Sequence, residues 1–402
     1  MRLGQYKEQL DMLILDISKA FDVVPHCRLV NKLNFYGIRD NTLTWITNWL
    51  SGRTQRVVVD GECSSESSVK SGVPQGTVLG PLMFILYIND IGKNTGSSIR
   101  LFADDCVLYR VIREAADAEV LQNDLSMMCS WAKDWQMLFN ADKCSLLTVT
   151  RKINPLRFTY NIHGKNLKLV EHHPYLGLEL DKDLNWNHHA ANTVNKAQRS
   201  LNLLRRNLSG CSADTKGLAY KALVRPVLEY AACAWDPYQA KHIQQLESVQ
   251  RRAARFVTKE HSRFTSVTEL LKRLEWRSLQ ERRLIARLAM FHKTVHGQAA
   301  CIIPECFKPS AGDVCTRGSR AGQYTIPHGR VDVYRFSFFP RTIRLWNMLP
   351  AELVQSPDVQ VFRTQLQDYF WNGRMWVVAP KDTYHRPRLG SSSCGSGLGP
   401  VY

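Results

Sequence analysis

Two adjacent carboxylates, Asp104 and Asp105, are the residues whose type and spacing point most directly to chemistry. The apolar run Ile99–Ala103 leads into the pair and Cys106–Tyr109 leads away from it, which predicts a β-hairpin with the acids at its tip. Neighbouring carboxylates repel each other unless a cation neutralises them. An Asp-Asp pair is also an ordinary turn dipeptide, and the hairpin by itself favours a turn over a metal site.

A third carboxylate, Asp16, stands in a similar setting at the end of the apolar run Leu13–Leu15. If the fold brings Asp16 beside Asp104, the oxygen-rich site suits Mg²⁺. Two such ions held about 4 Å apart are the usual means of in-line phosphoryl or nucleotidyl transfer. If Asp16 lies beside Asp104, the acids therefore predict metal-dependent phosphoryl or nucleotidyl transfer.

Length and composition limit the classes of protein to consider. The 402 residues are enough for two or three domains, and 44% hydrophobic with 22% charged residues is typical of a globular chain. Eleven cysteines without a C-x-x-C pair favour reduced thiols and a nuclear or cytoplasmic location. The N-terminus lacks a signal-peptide pattern, and the longest apolar run, Met83–Ile88, is too short to span a bilayer. The chain is therefore predicted to be neither secreted nor a membrane protein.

The positive charge is unevenly distributed along the chain. The net charge is +17, yet residues 1–190 carry 21 basic and 21 acidic residues, whereas residues 191–300 carry 20 and 8. A basic segment of this kind indicates a polyanionic partner, most simply a nucleic acid.

The elements that must position the acids are predicted from periodicity and turn residues. Strands are predicted at 11–16, 145–150 and 175–180, hairpins around Asp60-Gly61 and His163-Gly164, and helices at 25–36, 41–50, 78–91 and 114–139. Because strands and helices do not alternate strictly, the first 180 residues are predicted to form an α+β domain. Its antiparallel sheet would be covered on one face by helices.

From residue 187 onward the pattern is helical. Helices are predicted at 190–208, 212–230, 243–257 and 279–295. In the third of them, Arg251, Arg252 and Arg255 lie off the apolar face, where arginine is also common on any solvated helix. The excess of basic residues in this region favours nucleic-acid binding. Residues 298–384 are predicted to form a small aromatic-rich subdomain, and residues 385–402 a disordered tail.

Taken in order, several motifs resemble one family. Leu15–Asp22, Ser71–Asp90 and Phe102–Asp105 resemble the first motif, the second motif and the metal-binding box of the palm of a reverse transcriptase, of the kind encoded by non-LTR (LINE-type) retrotransposons. Asn140–Lys143 and Tyr175–Gly177 resemble the two motifs that follow. The resemblance implies a ferredoxin-like antiparallel palm at 1–186, an all-helical basic thumb at 187–297 and a small C-terminal region.

The resemblance also implies a mechanism and a set of ligands. Asp16, Asp104 and Asp105 would hold two Mg²⁺ ions, or Mn²⁺ in their place, and Asp105 would have the less direct role. An RNA template, a DNA primer and dNTPs would be the partners, and the reaction would be RNA-directed DNA synthesis. The backbone of Ile17 and Ser18 would face the ion and the phosphates.

Three further residues receive roles from the resemblance, and each has an ordinary alternative. Phe21 would pack against the sugar and reject a 2′-OH, or it is simply a core residue. Gln75 would contact the incoming nucleotide, or it is a turn residue. Lys143 would protonate or neutralise the leaving pyrophosphate, or it is a solvated surface lysine.

The chain departs from the family before the first motif. Complete enzymes of this kind carry fingers there, whereas only residues 1–15 precede Asp16, and neither an endonuclease nor an RNase H is recognisable. Two hypotheses therefore stand. One is an RNA-directed DNA polymerase, and the other is a catalytically inactive retroelement remnant that binds RNA or DNA through its basic helices.

Overall fold

The computed structural model describes residues 8–262, 264–307, 309, 322–326, 328–329 and 331–371. The chain divides into two compact units, one formed by residues 1–189 with 327–340 and the other by 190–326 with 341–402. Residues 341–371 thus lie in the second unit together with the basic helices. The tail predicted at 385–402, and parts of the region predicted at 298–384, lie outside the described residues.

A five-stranded sheet forms the centre of the first unit, in the order β11-β8-β1-β7-β6. In chain order the strands of this unit are β1 (Gln9–Asp16), β2 (Thr54–Gln55), β3 (Val58–Val59), β4 (Glu62–Cys63), β5 (Ser67–Ser68), β6 (Ser98–Phe102), β7 (Asp105–Ile112), β8 (Ser145–Thr150), β9 (Asn161–Ile162), β10 (Lys165–Asn166), β11 (Lys168–Val170), β12 (His172–Tyr175) and β13 (Leu178–Asp181). Strand β1 pairs antiparallel with β7 and β8, and β7 pairs antiparallel with β6. Only the edge strand β11 runs parallel to its neighbour, so the predicted α+β class with an antiparallel sheet is confirmed.

Helices cover one face of this sheet. They are α1 (Ala20–Val23), α2 (His26–Phe35), α3 (Asp40–Leu50), α4 (Leu79–Ile88) and α5 (Ala115–Asp134). Side chains alternate along β1, so Leu13 and Leu15 face the helices, where they join the main hydrophobic core. Leu10 and Ile14 face the opposite side and form a smaller core. Because Asp16 has the parity of Ile14, its side chain belongs to that second face.

A buried lysine holds three of these helices together. The side chain of Lys32 on α2 is 3% exposed, and its ammonium lies 2.6 Å from Asp90 Oδ1. It also donates a hydrogen bond to the Tyr87 carbonyl oxygen and lies 3.6 Å from the centre of the Trp135 ring. Burial lowers the pKa of Lys32, and the Asp90 carboxylate opposes that shift. The cation is thus paired and placed against an aromatic ring, as a buried charge requires.

The rest of the described chain is helical. The helices are α6 (Asn187–Asn207), α7 (Ala213–Leu223), α8 (Arg225–Glu229), α9 (Ala232–Trp235), α10 (Ala240–Thr258), α11 (Val267–Arg273), α12 (Leu279–Val295), α13 (Asp332–Arg335), α14 (Phe338–Trp346), α15 (Ala351–Val354) and α16 (Val359–Trp371). Within the described ranges, every helix is too short or too polar to cross a bilayer. The largest fully buried side chains of the second unit include Trp235 and Trp346.

An ionic cluster lies inside the second unit. The Asp236 carboxylate, directly after α9, is 2.7 Å from Arg283 Nε and 3.1 Å from Arg287 Nε of α12, and 3.2 Å from Arg341 Nη1 of α14. The side chain of Arg283 is 0% exposed and that of Asp236 is 5% exposed. Both Nη atoms of Arg283 are buried, and neither has a hydrogen-bond partner among the residues that the structure describes. The Asp236 carboxylate therefore forms ion pairs with three arginines in a region with little access to water.

Two predicted elements end differently from expectation. The helix predicted at 114–139 stops at Asp134, because Gln136 has a φ of 56° and leaves the helical path. The helix predicted at 212–230 is divided into α7 and α8 near Pro226. Proline has no N–H and its ring clashes with the preceding turn, so it interrupts a continuous helix.

The prediction of a single strand at 175–180 is also wrong. The structure has a hairpin there, β12 and β13, which turns at Leu176 and Gly177 with φ values of 48° and 77°. Glycine adopts such a left-handed conformation without steric cost. The hairpin places Tyr175 and Leu180 against the smaller core on the second face of the sheet.

Candidate active site

Strand register brings two of the three predicted acids together. Asp16, the last residue of β1, is the direct partner of Asp105, the first residue of β7. Directly paired residues of antiparallel strands project to the same face of a sheet, so both carboxylates lie on one side. Asp104 stands beside them in the two-residue turn between β6 and β7. That turn is formed by Ala103, with a φ of 51°, and Asp104.

The electrostatics of Asp105 reflect this crowding. Burial raises its pKa, and the negative charges of Asp104 and Asp16 raise it further. The nearest ion-pair partner of Asp16 is Lys143, whose Nζ lies 3.8 Å from Asp16 Oδ2. Both side chains are well exposed, at 68% for Lys143 and 39% for Asp16, so this is a loose contact. The site as a whole carries an excess of negative charge that a cation would relieve.

The donor chemistry fits a hard divalent cation. Carboxylate oxygens are the ligands that Mg²⁺ prefers, and three carboxylate residues stand at the end of one strand pair. Across the described part of the chain, no group of three or more His, Cys, Asp or Glu side chains is arranged as it stands to hold a metal ion. Asp16 and Asp105 therefore form a pair with Asp104 beside it, and the three do not form a complete set of metal ligands as they stand.

The backbone around Asp16 is held by the segment that follows α5. Asp16 N–H donates to Cys144 Sγ at 3.3 Å, and Asn140 N–H donates to the Asp16 carbonyl oxygen at 2.8 Å. Ser18 N–H donates to the Leu138 carbonyl oxygen at 2.8 Å. The Ser18 amide, predicted to face phosphates, is therefore already engaged. The side chain of Ile17 is buried in the main core.

Phe21 lies between the core and the surface. Its ring stacks on Phe84 of α4 with 4.5 Å between ring centroids, and it is half-buried. The ring therefore contributes to the core through one face. Its remaining exposed part leaves room for a role at the surface.

The loop Ser71–Gly76 packs directly on the chain that follows Asp16. Val73 N–H donates to the Phe21 carbonyl oxygen and Gly72 N–H to the Val24 carbonyl oxygen, both at 2.8 Å. Gly72 has a φ of 88°, and a Cβ there would lie 2.8 Å from the Asp22 carbonyl oxygen. Only glycine allows this approach. Gln75, at the end of the loop, donates through Nε2 to Asp22 Oδ1 at 3.1 Å.

Two residues near the acids escaped the sequence reasoning as site residues. His173 and Tyr175, on β12, both interact electrostatically with Asp105. Burial raises the pKa of Tyr175, and the charge of Asp105 raises it further. The residues after Tyr175 indicate that the chain turns there. They do not indicate which face of the sheet β12 covers, so the sequence does not predict that His173 and Tyr175 lie near the acids.

The three predicted nucleic-acid-binding arginines lie together on α10 in the second unit, with different surroundings. Arg251 and Arg252 are exposed. Arg255 is half-buried, and its guanidinium donates to the carbonyl oxygens of Glu260, Ser262 and Thr265. Arg255 therefore holds the loop that follows α10.

Comparison with known proteins agrees with this geometry. Residues 4–180 match the reverse transcriptase (RNA-dependent DNA polymerase) family. The RNA-directed DNA polymerase from mobile element jockey of Drosophila funebris is 30% identical over 266 residues, which cover 63% of this chain and 29% of that protein. The probable RNA-directed DNA polymerase from transposon X-element of Drosophila melanogaster is 29% identical over 272 residues, covering 63% and 28%.

This chain spans less than a third of the length of those relatives. Among solved structures, apo telomerase from Candida tropicalis aligns with a TM-score of 0.38 and 12% identity, covering 69% of this chain and 45% of that one. The family match includes the strand that ends in Asp16, the loop around Gln75 and the Asp104–Asp105 turn. Residues 4–180 therefore match the reverse transcriptase family, and the chain is similar to the RNA-directed DNA polymerases of non-LTR transposons such as jockey and the X-element.

Proposed function

We propose that this chain carries out RNA-directed DNA synthesis, adding dNTPs to the 3′-OH of a DNA primer on an RNA template. The observation that carries the proposal is the register that pairs Asp16 with Asp105 while Asp104 occupies the adjoining turn. The alternative of an inactive remnant has no observation of its own in its favour. An inactive remnant has no need of its catalytic acids, whereas Asp16, Asp104 and Asp105 are all present and adjacent here.

Asp16, Asp104 and Asp105 would hold two Mg²⁺ ions, or Mn²⁺ in their place. When bound, such ions lower the pKa of an attacking hydroxyl and neutralise charge on a leaving pyrophosphate. Lys143, at the edge of the site, would pair with that pyrophosphate as its charge develops. Its loose contact with Asp16 leaves its ammonium free to move.

Phe21 and Gln75 would select the nucleotide. The inner face of the Phe21 ring is fixed by Phe84, so the exposed part presents a rigid surface to a sugar. Gln75 extends from a loop that Gly72 fastens to the chain beside Phe21. The two side chains would therefore border the same nucleotide from neighbouring positions.

The test of this function is extension of a labelled DNA primer on an RNA template with Mg²⁺ and dNTPs. We expect incorporation that depends on the RNA template and stops when EDTA removes the metal. The chain is compared with a fusion that supplies upstream fingers from a relative. Absence of synthesis in both forms, with the fold intact, would contradict the proposal.

Phe21→Val should relax discrimination against ribonucleotides. Removing the ring opens the space that a 2′-OH needs, so kcat/KM for rNTP relative to dNTP should rise by about ten- to a hundredfold. Phe35→Val, at an 81% exposed phenylalanine on α2, is the matched control and should leave the ratio unchanged. An unaltered ratio in an active Phe21→Val variant would assign Phe21 to the core alone.

Reversing Arg251 and Arg252 to Glu should weaken binding to all nucleic-acid sequences alike. Phosphate contacts release counterions, so wild-type affinity should fall steeply with salt and the variant should show a smaller salt slope. Arg255 is left intact because it holds its own loop. Charge reversal of the exposed pair Lys272 and Arg273 on α11 is the control for net charge. Equal losses from both pairs would indicate diffuse attraction rather than a surface on α10.

A further inference from the structure

Among the described residues, the Gln75 side chain makes one hydrogen bond. Its Nε2 donates to Asp22 Oδ1 at 3.1 Å. An ionised carboxylate accepts hydrogen bonds and cannot donate them. The amide nitrogen of Gln75 must therefore face Asp22, whichever way the amide is assigned. Its carbonyl oxygen, Oε1, then points away from Asp22 as a hydrogen-bond acceptor.

The backbone of Asp22 also anchors the loop that carries Gln75. Ser71 Oγ donates to the Asp22 carbonyl oxygen at 2.9 Å, and a Cβ on Gly72 would lie 2.9 Å from Asp22 Cα. On the other side of the loop, a Cβ on Gly80 would lie 2.1 Å from the Pro74 carbonyl oxygen. The loop is thus confined from both sides, and the remaining freedom of Gln75 lies in its own side chain.

We propose that Asp22 is a positioning residue that fixes the Gln75 amide, so that Oε1 accepts a hydrogen bond from a donor group on the incoming nucleotide. This inference rests on the proposed function. Gln75 and Asp22 are both exposed, so water competes for the bond and an unrestrained amide would present its NH₂ and its oxygen equally. The carboxylate removes that ambiguity before the nucleotide arrives, which lowers the ordering cost of binding.

The test measures the Kd of dTTP for the chain on an RNA template with a dideoxy-terminated DNA primer, a readout that does not depend on turnover. Asp22→Ala should raise this Kd by about two- to tenfold, the range expected for loss of one hydrogen bond. Asp22→Asn keeps an acceptor oxygen and should lose less. Glu119→Ala, which removes an exposed carboxylate from α5 of the same unit, should have no effect.

A double-mutant cycle distinguishes a positioning role from a local structural one. If Asp22 acts through Gln75, then Asp22→Ala should add nothing to the Kd in a Gln75→Ala background. Additive effects, or equal losses from Asp22→Asn and Asp22→Ala, would overturn the inference and leave the proposed function in place. Failure of both the wild-type chain and the fusion with upstream fingers to extend a primer would instead overturn the proposed function, and this inference with it.

Discussion

Asp104→Asn should abolish DNA synthesis, with a fall in kcat of at least about a thousandfold. Two-metal transfer depends on carboxylates that bring cations to the reacting oxygens, and that stabilisation is worth several kcal/mol in the transition state. Asparagine keeps the size of the side chain but removes the charge. Because Asp104 is exposed in a turn, the variant should fold as the wild type does, and its thermal unfolding should be unchanged.

The acid variants are best compared as a series in the primer-extension assay. Asp16→Asn should match Asp104→Asn, whereas Asp105→Asn should lose less activity. Asp60→Asn is the matched control, because Asp60 is exposed in the turn between β3 and β4 with a φ of 52°, a conformation that asparagine tolerates.

A second readout reports on the metal without turnover. Fe²⁺ with ascorbate and peroxide should cleave the wild-type backbone near Asp16 and Asp104, and Asp104→Asn should lose that cleavage. Synthesis by Asp104→Asn at more than about a tenth of the wild-type rate would contradict a role for this carboxylate in metal binding.

Asp236→Asn should destabilise the second unit by about 3–5 kcal/mol, the cost of leaving buried charges without their partner. The substitution keeps the shape of the side chain but leaves Arg283, Arg287 and Arg341 as three neighbouring cations. Urea unfolding at pH 7 measures the loss. Asp368→Asn, at an exposed position on α16, should change the stability by no more than about 0.5 kcal/mol.

The same carboxylate predicts a pH dependence. Burial alone would raise the pKa of Asp236, but the charges of Arg341, Arg287 and Arg283 outweigh it and lower that pKa below 3.8. The unfolded carboxyl titrates near pH 3.9, about its ordinary value. The stabilisation is therefore complete above that pH and is lost as the pH falls through the folded pKa.

The stability difference between wild type and Asp236→Asn should accordingly shrink in acid. Unfolding curves at pH 7 and about pH 3 provide the comparison, since only the wild type has this carboxylate to protonate. A difference that stays constant across this range would show that the carboxylate charge is not what holds the arginine cluster.

Much of the local structure follows from the sequence because its signals are local. Strand β8 has the predicted bounds, Ser145–Thr150, and α12 has the predicted bounds, Leu279–Val295. A six-residue run rich in apolar and β-branched residues and a 3.6-residue apolar period over seventeen leave few other solutions. The hairpin predicted around Asp104 and Asp105 is confirmed, and its turn consists of Ala103 and Asp104, with Asp105 as the first residue of β7.

Elements governed by distant contacts were less predictable. The helix predicted to reach Phe139 ends at Asp134, and the freed segment contacts the end of β1 through Leu138 and Asn140. The apolar pattern continues past the true end, because Met137 and Phe139 are buried by packing outside the helix. A periodic apolar pattern indicates that residues are buried. It does not indicate whether they are buried as part of the helix or of the segment that follows it.

Local sequence patterns indicate that three acids end or join strands, that Gln75 lies in a glycine-containing loop, and that the basic residues concentrate after residue 190. Long-range packing is needed to pair Asp16 with Asp105, to bring the Asp22 carboxylate to Gln75, and to place Asp236 among three arginines. These contacts join residues 89, 53 and 47 to 105 positions apart in the chain. Strand register and loop packing set such distances, and neither leaves a repeating signal in the residues that it brings together.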